Sequence, residues 1–418
     1  MSDTQLATKR FSLPQVFSVP DKWAKKLFFK FLEKIERGKL TVTDSQGVNI
    51  FGDTDSDLEV NLIIIDDSAY ADFLVGGSLG AGESYIRGEW TCSDLTKLIR
   101  LFARNMQLVE SMDSGFAKLA SPVLRTLHWM NRNTRSGSRK NIEAHYDLGN
   151  DFFKLFLDES MMYSSAIFEN EDSTLFEAQQ YKLKTICEKL QLNKDDHLLE
   201  IGTGWGAMAI YAAENYGCKV TSTTISKEQY ALAKERIREK NLDDKIDLLL
   251  MDYRDLKGTY SKVVSIEMVE AVGHEYLEEY FKTCSQLTAE DGLFLMQVIT
   301  IPDQRYDSAR KEIDFIKRYI FPGSCIPSIE KISKSVRNKS DYRLVGMDEY
   351  ASHYAQTLKV WHENLMKHEE KVSGMFSQEF LRMWQFYFSY CEGGFAERVI
   401  GSSQMLFAKP FNRTVTKS

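Results

Sequence analysis

Three glycines alternate with other residues directly after a short apolar run, and this spacing is the most chemically informative part of the 418-residue chain. Leu198–Ile201 reads as a buried strand, and Gly202, Gly204 and Gly206 follow it before a helix-patterned segment. Glycine tolerates positive φ and lets a backbone come close to a ligand. A strand, a glycine turn and a helix open a nucleotide-type binding fold. The sequence therefore predicts a nucleotide-like ligand at this turn.

Two features of the same stretch indicate which ligand this is. A dinucleotide site has GxGxxG and an acidic residue about 20 positions later. Here the spacing is GxGxG, and the second strand ends in Thr223 and Thr224, which counts against NAD. Glu200 stands two residues before the first glycine, and E-x-G-x-G-x-G resembles the first motif of class I methyltransferases. That resemblance implies S-adenosylmethionine as the cofactor.

The elements around this turn alternate between strands and helices. Such alternation predicts a mostly parallel sheet covered on both faces. We predict strands at 219–224, 246–251, 262–266 and 292–300, helices at 227–240 and 276–287, later helices near 328–337, 354–372 and 377–396, and a closing strand at 404–408.

The N-terminal part has a different pattern. Residues 22–37 predict a helix with one apolar face and several lysines elsewhere, which either packs into a core or lies on an anionic membrane surface. The next 25 or so residues favour strands. The glycine-rich segment at 76–90 predicts a loop. Residues 123–140 contain Arg and Lys but no acidic residue, so we predict a basic linker there, either solvated or bound to lipid headgroups.

Composition excludes several classes of protein. A net charge of −7 argues against bulk nucleic-acid binding. The six cysteines are scattered without a CxxC pair, which suits a reducing cytosol and predicts no structural metal site. No apolar run approaches the roughly 18 residues that span a membrane, and the first thirty residues lack the apolar core of a signal peptide. We therefore expect a cytoplasmic protein.

Long ordered motifs resemble the cyclopropane-fatty-acyl-phospholipid synthase family and its mycolic-acid relatives. They are HYDLGNDFFKLFLDESMMYSSAIF (145–168), TISKEQ (224–229), MDYRDL (251–256), SIEMVEAVGHEYLEEYF (265–281) and YIFPGSCIPS (319–328), and GSLGAGESYIRGEW resembles the N-terminal domain of the phospholipid enzymes. The resemblance implies an α/β fold, a class I methyltransferase Rossmann-like sheet with helical insertions. A smaller α+β domain that associates with lipid precedes it. The implied divisions are 1–122, a linker at 123–140, and a catalytic domain at 141–418.

The resemblance also implies a set of cofactor-binding positions at the turns that follow the strands and in the first signature. These are Tyr163, Ser164, Glu200, Gly202, Gly204, Gly206, Thr224, Gln229, Tyr253 and Arg254.

In the family, a bound bicarbonate is thought to remove a proton after methyl transfer. The implied anion ligands here are Glu270, Tyr354, Ile299, Ser165 and Gln297, of which Ser165 replaces a cysteine and Gln297 a histidine. Serine and glutamine still donate hydrogen bonds but add no charge. We therefore expect a remodelled base site, with either a weaker bicarbonate pocket or a different proton acceptor.

Cys391 completes the catalytic candidates, because it matches a cysteine that has been considered catalytic in the family. Attack of an alkene on a sulfonium methyl needs no thiol, so buried packing is the competing interpretation.

The resemblance implies methyl(ene) transfer from S-adenosylmethionine to the double bond of an unsaturated phospholipid acyl chain, through a carbocation. The product would be a cyclopropane or a methyl- or methylene-branched chain. It also implies peripheral association with the inner face of the cell membrane and a homodimer. The alternatives are a small-molecule acceptor and a non-catalytic lipid-binding module.

Overall fold

A computed structural model describes residues 20–109 and 148–415. The predicted linker at 123–140 lies outside these residues. The described residues fall into two compact units. The first combines the N-terminal part with residues 312–320 and 365–399, and the second contains residues 148–311, 321–364 and 400–415. The sequence assigned both inserted segments to the catalytic domain, so the structure differs from that division at these two places.

The first unit is built on a four-stranded sheet in the order β2-β1-β3-β4. β1 pairs in parallel with β3, and the other neighbours are antiparallel. Every second side chain of β3 is buried, as expected for a sheet with one covered face. The described elements of this part are α1 (Asp21–Leu32), β1 (Lys39–Asp44), β2 (Gly47–Gly52), β3 (Glu59–Ile64), α2 (Ala69–Arg87), β4 (Trp90–Cys92) and α3 (Leu95–Arg104).

The prediction of a loop at 76–90 is wrong, because α2 runs through most of this segment with a kink at Gly77. The glycines allow close packing instead. A Cβ at Gly80 would overlap the carbonyl oxygen of Asp72, and one at Gly82 would lie 2.5 Å from a ring carbon of Phe315. The glycines of α2 therefore let Asp72 and Phe315 approach the helix backbone more closely than any larger residue would allow.

Aromatic packing explains why the inserted segments belong to the first unit. The ring of Phe315 lies 4.6 Å from that of Phe386, which also contacts Tyr85 at 5.8 Å. Gly393 brings its helix against Ile99. The segments contribute a π-helical turn (Ile316–Ile320), α12 (Glu369–Met375) and α13 (Gln378–Ala396). The sequence does not indicate in which of the two units these large apolar residues are buried.

The second unit holds a seven-stranded sheet in the order β10-β11-β9-β8-β5-β6-β7. The neighbours from β9 to β7 are parallel, and β11 pairs antiparallel with both β9 and β10. Its strands are β5 (His197–Ile201), β6 (Lys219–Thr224), β7 (Ile246–Leu250), β8 (Tyr260–Ile266), β9 (Thr288–Thr300), β10 (Arg343–Glu349) and β11 (Gly401–Ala408).

Helices cover both faces of this sheet. Consecutive side chains of β5 point to opposite faces, and each is buried in a different hydrophobic cluster. Leu198 packs in one hydrophobic cluster and Leu199 in the other. The helices of this unit are α4 (Asn150–Phe153), α5 (Leu175–Lys189), α6 (Ala207–Tyr216), α7 (Lys227–Glu239), α8 (Leu277–Leu287), α9 (Asp303–Ala309), α10 (Ile329–Lys339) and most of α11 (Ala351–Lys367). The prediction of a mostly parallel, doubly covered sheet is confirmed.

The strand order reverses beside β5. The chain adds β6 and then β7 on one side of β5, and it returns to place β8 on the other side. Open α/β sheets bind ligands at such a switch point, outside the carboxyl ends of the strands. The glycine turn after β5 lies at this edge. Within the described ranges, no helix has the length and apolar character needed to cross a membrane.

Candidate active site

The glycine turn leaves room beside its backbone. Gly202, Gly204 and Gly206 have φ values of 102°, 53° and 91°. The amides of Gly202 and Thr203 both donate to the carbonyl oxygen of Thr223 at 3.0 Å, which fastens the turn to the end of β6. A Cβ at Gly202 would lie 3.2 Å from Met268, whereas one at Gly204 would have no neighbour within 4 Å. Gly204 thus offers backbone to a ligand.

Glu200 lies inside the protein beneath this turn, with 3% of its surface exposed. Ser222 Oγ donates to its carboxyl group at 2.5 Å, and Thr203 Oγ1 lies 2.6 Å from the same hydroxyl. Burial raises the pKa of Glu200 to about 8, against the effect of the Ser222 hydrogen bond. This carboxyl group therefore links β5, β6 and the turn.

Polar side chains at the start of α7 hold the next part of the edge. Thr224 Oγ1 donates to Gln229 Oε1 at 2.8 Å, and Ser226 Oγ accepts the amide of Gln229 at 3.2 Å as the helix N-cap. These bonds fix the Gln229 side chain next to the carboxyl end of β6. The predicted pair Thr224 and Gln229 is therefore in direct contact.

In the turn after β7, the guanidinium of Arg254 forms an ion pair with the carboxylate of Asp252. Its guanidinium Nε and Nη2 donate to the two carboxylate oxygens of Asp252 at 2.9 and 2.6 Å. The guanidinium carbon also lies 5.7 Å from the centroid of the Tyr253 ring, a cation–π distance. The Asp252 pair fixes the 3-10 turn Tyr253–Asp255 at the same edge of the sheet.

Tyr163 and Ser164 of the first signature lie in different surroundings. Tyr163 is half-buried among aromatic rings, with Trp361 at 5.2 Å and Phe153 at 5.4 Å between centroids. Ser164 Oγ accepts a hydrogen bond from Lys182 Nζ at 2.7 Å. Lys182 is completely buried, and burial lowers the pKa of this lysine to about 7.

Three of the predicted catalytic residues converge on a carboxylate that sequence reasoning missed, Glu267. Its Oε1 accepts from the backbone amide of Ser165 at 2.9 Å and from Gln297 Nε2 at 2.8 Å. Its Oε2 accepts from the hydroxyl of Tyr354 at 2.7 Å. Burial raises the pKa of Glu267, while its hydrogen-bond donors and the charge of Lys182 oppose that rise.

Glu270 forms a second, separate contact with Ile299. Its Oε1 accepts the backbone amide of Ile299 at 2.6 Å, and its buried Oε2 has no hydrogen-bond partner. Burial raises the pKa of Glu270 to about 8, and the nearby charge of Glu267 adds to the rise. Glu270 thus favours its protonated form at neutral pH. An unpaired buried carboxyl oxygen is costly unless something else contacts it.

α11 positions both Tyr354 and the segment of the first signature. Tyr354 comes from this helix, and three residues later Thr357 Oγ1 accepts the backbone amide of Ala166 at 3.1 Å. His353 Nδ1 accepts the amide of Phe168 at 3.2 Å. These bonds hold the segment that carries Ser165 beside Tyr354.

Cys391 belongs to the first unit, on α13, and is partly buried. Burial raises the pKa of its thiol, and the negative charge of Asp314 adds to the effect. The thiol form is therefore favoured over the thiolate. Among the described residues, no cluster of His, Cys, Asp and Glu is arranged to hold a metal ion.

Comparison with known proteins identifies the family to which this fold and this site belong. The model of the family "Mycolic acid cyclopropane synthetase" matches residues 133–405. This chain belongs to that family. The cyclopropane-fatty-acyl-phospholipid synthase of Escherichia coli K12 is 34% identical over 368 residues, covering 87% of this chain and 90% of that protein. The protein is therefore a methyltransferase that depends on S-adenosylmethionine.

Two other similar proteins have names that describe different activities. The tuberculostearic acid methyltransferase UfaA1 of Mycobacterium tuberculosis is 36% identical over 327 residues, 76% of each chain. The solved mycolic acid cyclopropane synthase CmaA1, complexed with SAH and CTAB, superposes with a TM-score of 0.61 at 29% identity, covering 65% of this chain and 98% of that one. The predicted family and the class I methyltransferase fold are confirmed.

The polar residues that sequence reasoning missed share one feature, because each forms a hydrogen bond with a predicted site residue. Glu267 lies three positions before Glu270, inside a motif from which only Glu270 was selected. Lys182 lies on α5, which was not predicted as part of the site. Gln404 Nε2 donates to Gln297 Oε1 at 3.0 Å from the neighbouring strand β11. The one available signal was the pair of acidic residues in SIEMVE.

Proposed function

We propose that this protein transfers the methyl(ene) carbon of S-adenosylmethionine to the double bond of an unsaturated acyl chain within a phospholipid. The observation that carries this proposal is the extent of the match to the Escherichia coli phospholipid enzyme. That match covers 87% of the chain and reaches beyond the residues of the family model. A small-molecule acceptor would not explain similarity outside the methyltransferase domain.

The residues at the carboxyl edge of β5 and β6 fit the methyl donor. When bound, S-adenosylmethionine supplies an electrophilic methyl group on a sulfonium ion. We assign its methionyl part to the open backbone at Gly204, flanked by Gly202 and Gly206. We assign its nucleoside part to the residues after β6 and β7, which are Thr224, Gln229, Tyr253 and Arg254. The aromatic rings around Tyr163 suit a sulfonium cation.

The reaction then requires a dry site with a proton acceptor. Attack by the alkene leaves a carbocation on the lipid chain, and water would trap it. Ser165, Gln297 and Tyr354 are buried, with 0%, 2% and 6% exposed. We propose that this cluster, with Glu267 and Glu270, excludes water and receives the proton that the product must lose.

The position of the lost proton determines the product. Loss from the new methyl group, with closure of a second C–C bond, gives a cyclopropane. Loss after a hydride shift gives a methylene branch, and loss from the chain gives an unsaturated methyl branch. UfaA1 is named as a methyltransferase and not as a cyclopropane synthase, so the similarity to it keeps a methyl-branched product as the second candidate beside the cyclopropane.

We further propose that the enzyme associates peripherally with the membrane and acts as a homodimer. Apolar side chains exposed on the first-unit sheet support the first point: Val48, Ile50 and Ile63 are 62%, 57% and 43% exposed. Their registers with Thr43 and Thr41 place them on one face. Light scattering of the purified protein tests the dimer.

Incubation with labelled methyl donor and dioleoyl phosphatidylglycerol vesicles tests the proposed function. We expect label in the acyl chains of the lipid extract. A parallel incubation with free amines tests the small-molecule alternative. Label in the amines, with none in the lipid, would replace the proposal by that alternative.

A further inference from the structure

We propose that the carboxylate of Glu267 is the catalytic base of this enzyme and occupies the position of a bound bicarbonate. The inference rests on the proposed function, since it concerns the proton lost after methyl transfer to the alkene. A carboxylate and bicarbonate present the same planar pair of oxygens to their surroundings. The enzyme would therefore act without an added anion.

The first observation in favour is the set of three hydrogen bonds that the Glu267 carboxylate accepts. Sequence resemblance predicted Ser165, Gln297 and Tyr354 as ligands of the anion. All three instead donate to the Glu267 carboxylate, at 2.9, 2.8 and 2.7 Å. The donors predicted for bicarbonate thus already have a negative partner supplied by the chain.

The second support is the orientation of the Gln297 amide. Lys189 Nζ, which can only donate, lies 2.8 Å from Gln404 Oε1. That bond directs Gln404 Nε2 to Gln297 Oε1 at 3.0 Å. Gln297 therefore turns its NH₂ group toward Glu267 Oε1. A chain of three side chains, starting from a lysine, prepares one donor for this carboxylate.

The third support is the backbone of Glu267, which has a φ of 49°. A residue other than glycine, asparagine or aspartate is uncommon in this left-handed region, and such outliers cluster at functional sites. The backbone amide of Glu267 donates to the carbonyl oxygen of Gln297 at 2.8 Å, which fixes this conformation. The chain thus holds an unfavourable conformation that brings the carboxylate to its donors.

Glu270 is the second carboxyl group in this part of the site, and its charge state is coupled to that of Glu267. Glu270 is buried and Glu267 partly buried, and the charge of Glu267 raises the pKa of Glu270; two carboxyl groups that interact in this way do not both ionise. Glu267 has three donors, whereas Glu270 has one donor to Oε1 and none to Oε2. The negative charge therefore resides on Glu267 and the proton on Glu270. In its protonated form, the buried Lys182 favours ionised Glu267 and opposes the rise in pKa that burial causes.

In methyl transfer and in the proton loss that follows, each bond that forms takes its electron pair from one that breaks. The alkene attacks the methyl carbon, a C–C bond forms, and the C–S bond breaks with its electron pair remaining on sulfur. The neighbouring chain carbon becomes the cation. For a cyclopropane, a C–H bond of the transferred carbon breaks and its electron pair closes the ring onto the cation; for an unsaturated branch, a C–H bond of a chain carbon adjacent to the cation breaks and its electron pair forms a double bond. In both cases Glu267 Oε2 takes the proton. Such a proton is very acidic, so a carboxylate held by three donors is basic enough.

Two measurements on the wild-type enzyme and the Glu267→Gly variant test this assignment. Glycine suits the left-handed backbone and leaves a gap of carboxylate size lined by the same donors. Methyl transfer to dioleoyl phosphatidylglycerol vesicles is compared in carbon dioxide-depleted buffer with and without millimolar bicarbonate. The wild-type rate should not change. The variant should lose about a hundredfold or more, and bicarbonate should restore at least about a tenth of the wild-type rate.

Calorimetric titration with bicarbonate gives a readout independent of turnover. The wild-type protein should show no binding, whereas the variant should bind. Glu290→Gln, at an exposed position of β9, serves as the control and should behave as wild type. Bicarbonate binding by the wild type, bicarbonate-dependent wild-type turnover, or full activity of the folded variant would overturn the assignment. If the variant does not fold, the two wild-type measurements still decide the matter. Absence of any wild-type lipid methylation refutes the proposed function instead, and the titration then tests whether Glu267 fills the anion position.

Discussion

Cys391 lies on α13 of the first unit, where its raised pKa favours the unreactive thiol. The polar contacts that join Ser165, Gln297 and Tyr354 belong to the second unit and centre on Glu267. A base made from a carboxylate needs no thiolate. We therefore propose that Cys391 contributes packing and not chemistry.

Replacement of Cys391 by alanine should leave at least about half of the methyl-transfer activity, since a thiol that does not ionise contributes little beyond its volume. Initial rates with phospholipid vesicles check this, with Cys92→Ala in the same unit as the matched control. A loss of about a hundredfold at an unchanged melting temperature would restore Cys391 as a catalytic residue.

Only some residues of this site could be predicted from the sequence. Ser165, Gln297 and Tyr354 were predicted from motifs, and the structure brings them together. Their common partner was not predicted, because the role of Glu267 depends on a left-handed backbone and on hydrogen bonds from three distant segments. Spacing along the chain does not encode either property. The motif pattern identified the donors and left out the acceptor.

The glycine turn between β5 and α6 is the element that we assign to the methyl donor. Gly204 has a φ of 53° and open space where a Cβ would lie. Gly217, at the end of α6, has a φ of 71° and a Cβ neighbour only at 3.6 Å. The two positions thus share the backbone requirement and differ in whether a ligand is expected beside them.

Alanine at either position should cost roughly 1–2 kcal/mol of unfolding free energy, the cost of a left-handed L-residue. Only Gly204→Ala should also weaken S-adenosylmethionine binding, by about tenfold or more, because its methyl group enters the space left for the ligand. Denaturant unfolding and calorimetric titration give the two quantities. Equal affinity for both variants would remove Gly204 from the cofactor site.

Strands and helices of the second unit were largely predictable, because parallel strands with two covered faces have long apolar runs. β10 was missed, since this edge strand exposes Leu344, Val345 and Met347 and has no alternating pattern. The helix α2 was predicted as a loop because its glycines serve close packing. Both errors arise where tertiary contacts, and not local pattern, decide the element.

For the whole molecule, access to a phospholipid chain requires contact with a bilayer. The exposed sheet face of Val48, Ile50 and Ile63 is our proposed membrane-facing surface. Exposed apolar side chains gathered on one face mark a binding surface in many proteins. The first unit would then have a function that the methyltransferase sheet lacks.

Glutamate at both Val48 and Ile50 should weaken sedimentation with dioleoyl phosphatidylglycerol vesicles by at least about tenfold, because removing two inserted apolar side chains costs about 2 kcal/mol or more. Affinity for S-adenosylmethionine should not change. Val345→Glu, equally apolar and 40% exposed on β10, is the control. Unchanged vesicle binding by the double variant would exclude this face as the membrane contact.

The central claim is that an acyl-chain double bond accepts the methyl carbon. Mass spectrometry of dioleoyl phosphatidylglycerol after incubation with the enzyme and a trideuteromethyl donor tests it most directly. We predict acyl chains that are one carbon longer in composition and carry deuterium. Two retained deuterons would indicate loss of a proton from the methyl carbon, and three would indicate loss from the chain. Unlabelled chains, from enzyme shown to bind the methyl donor, would contradict the account.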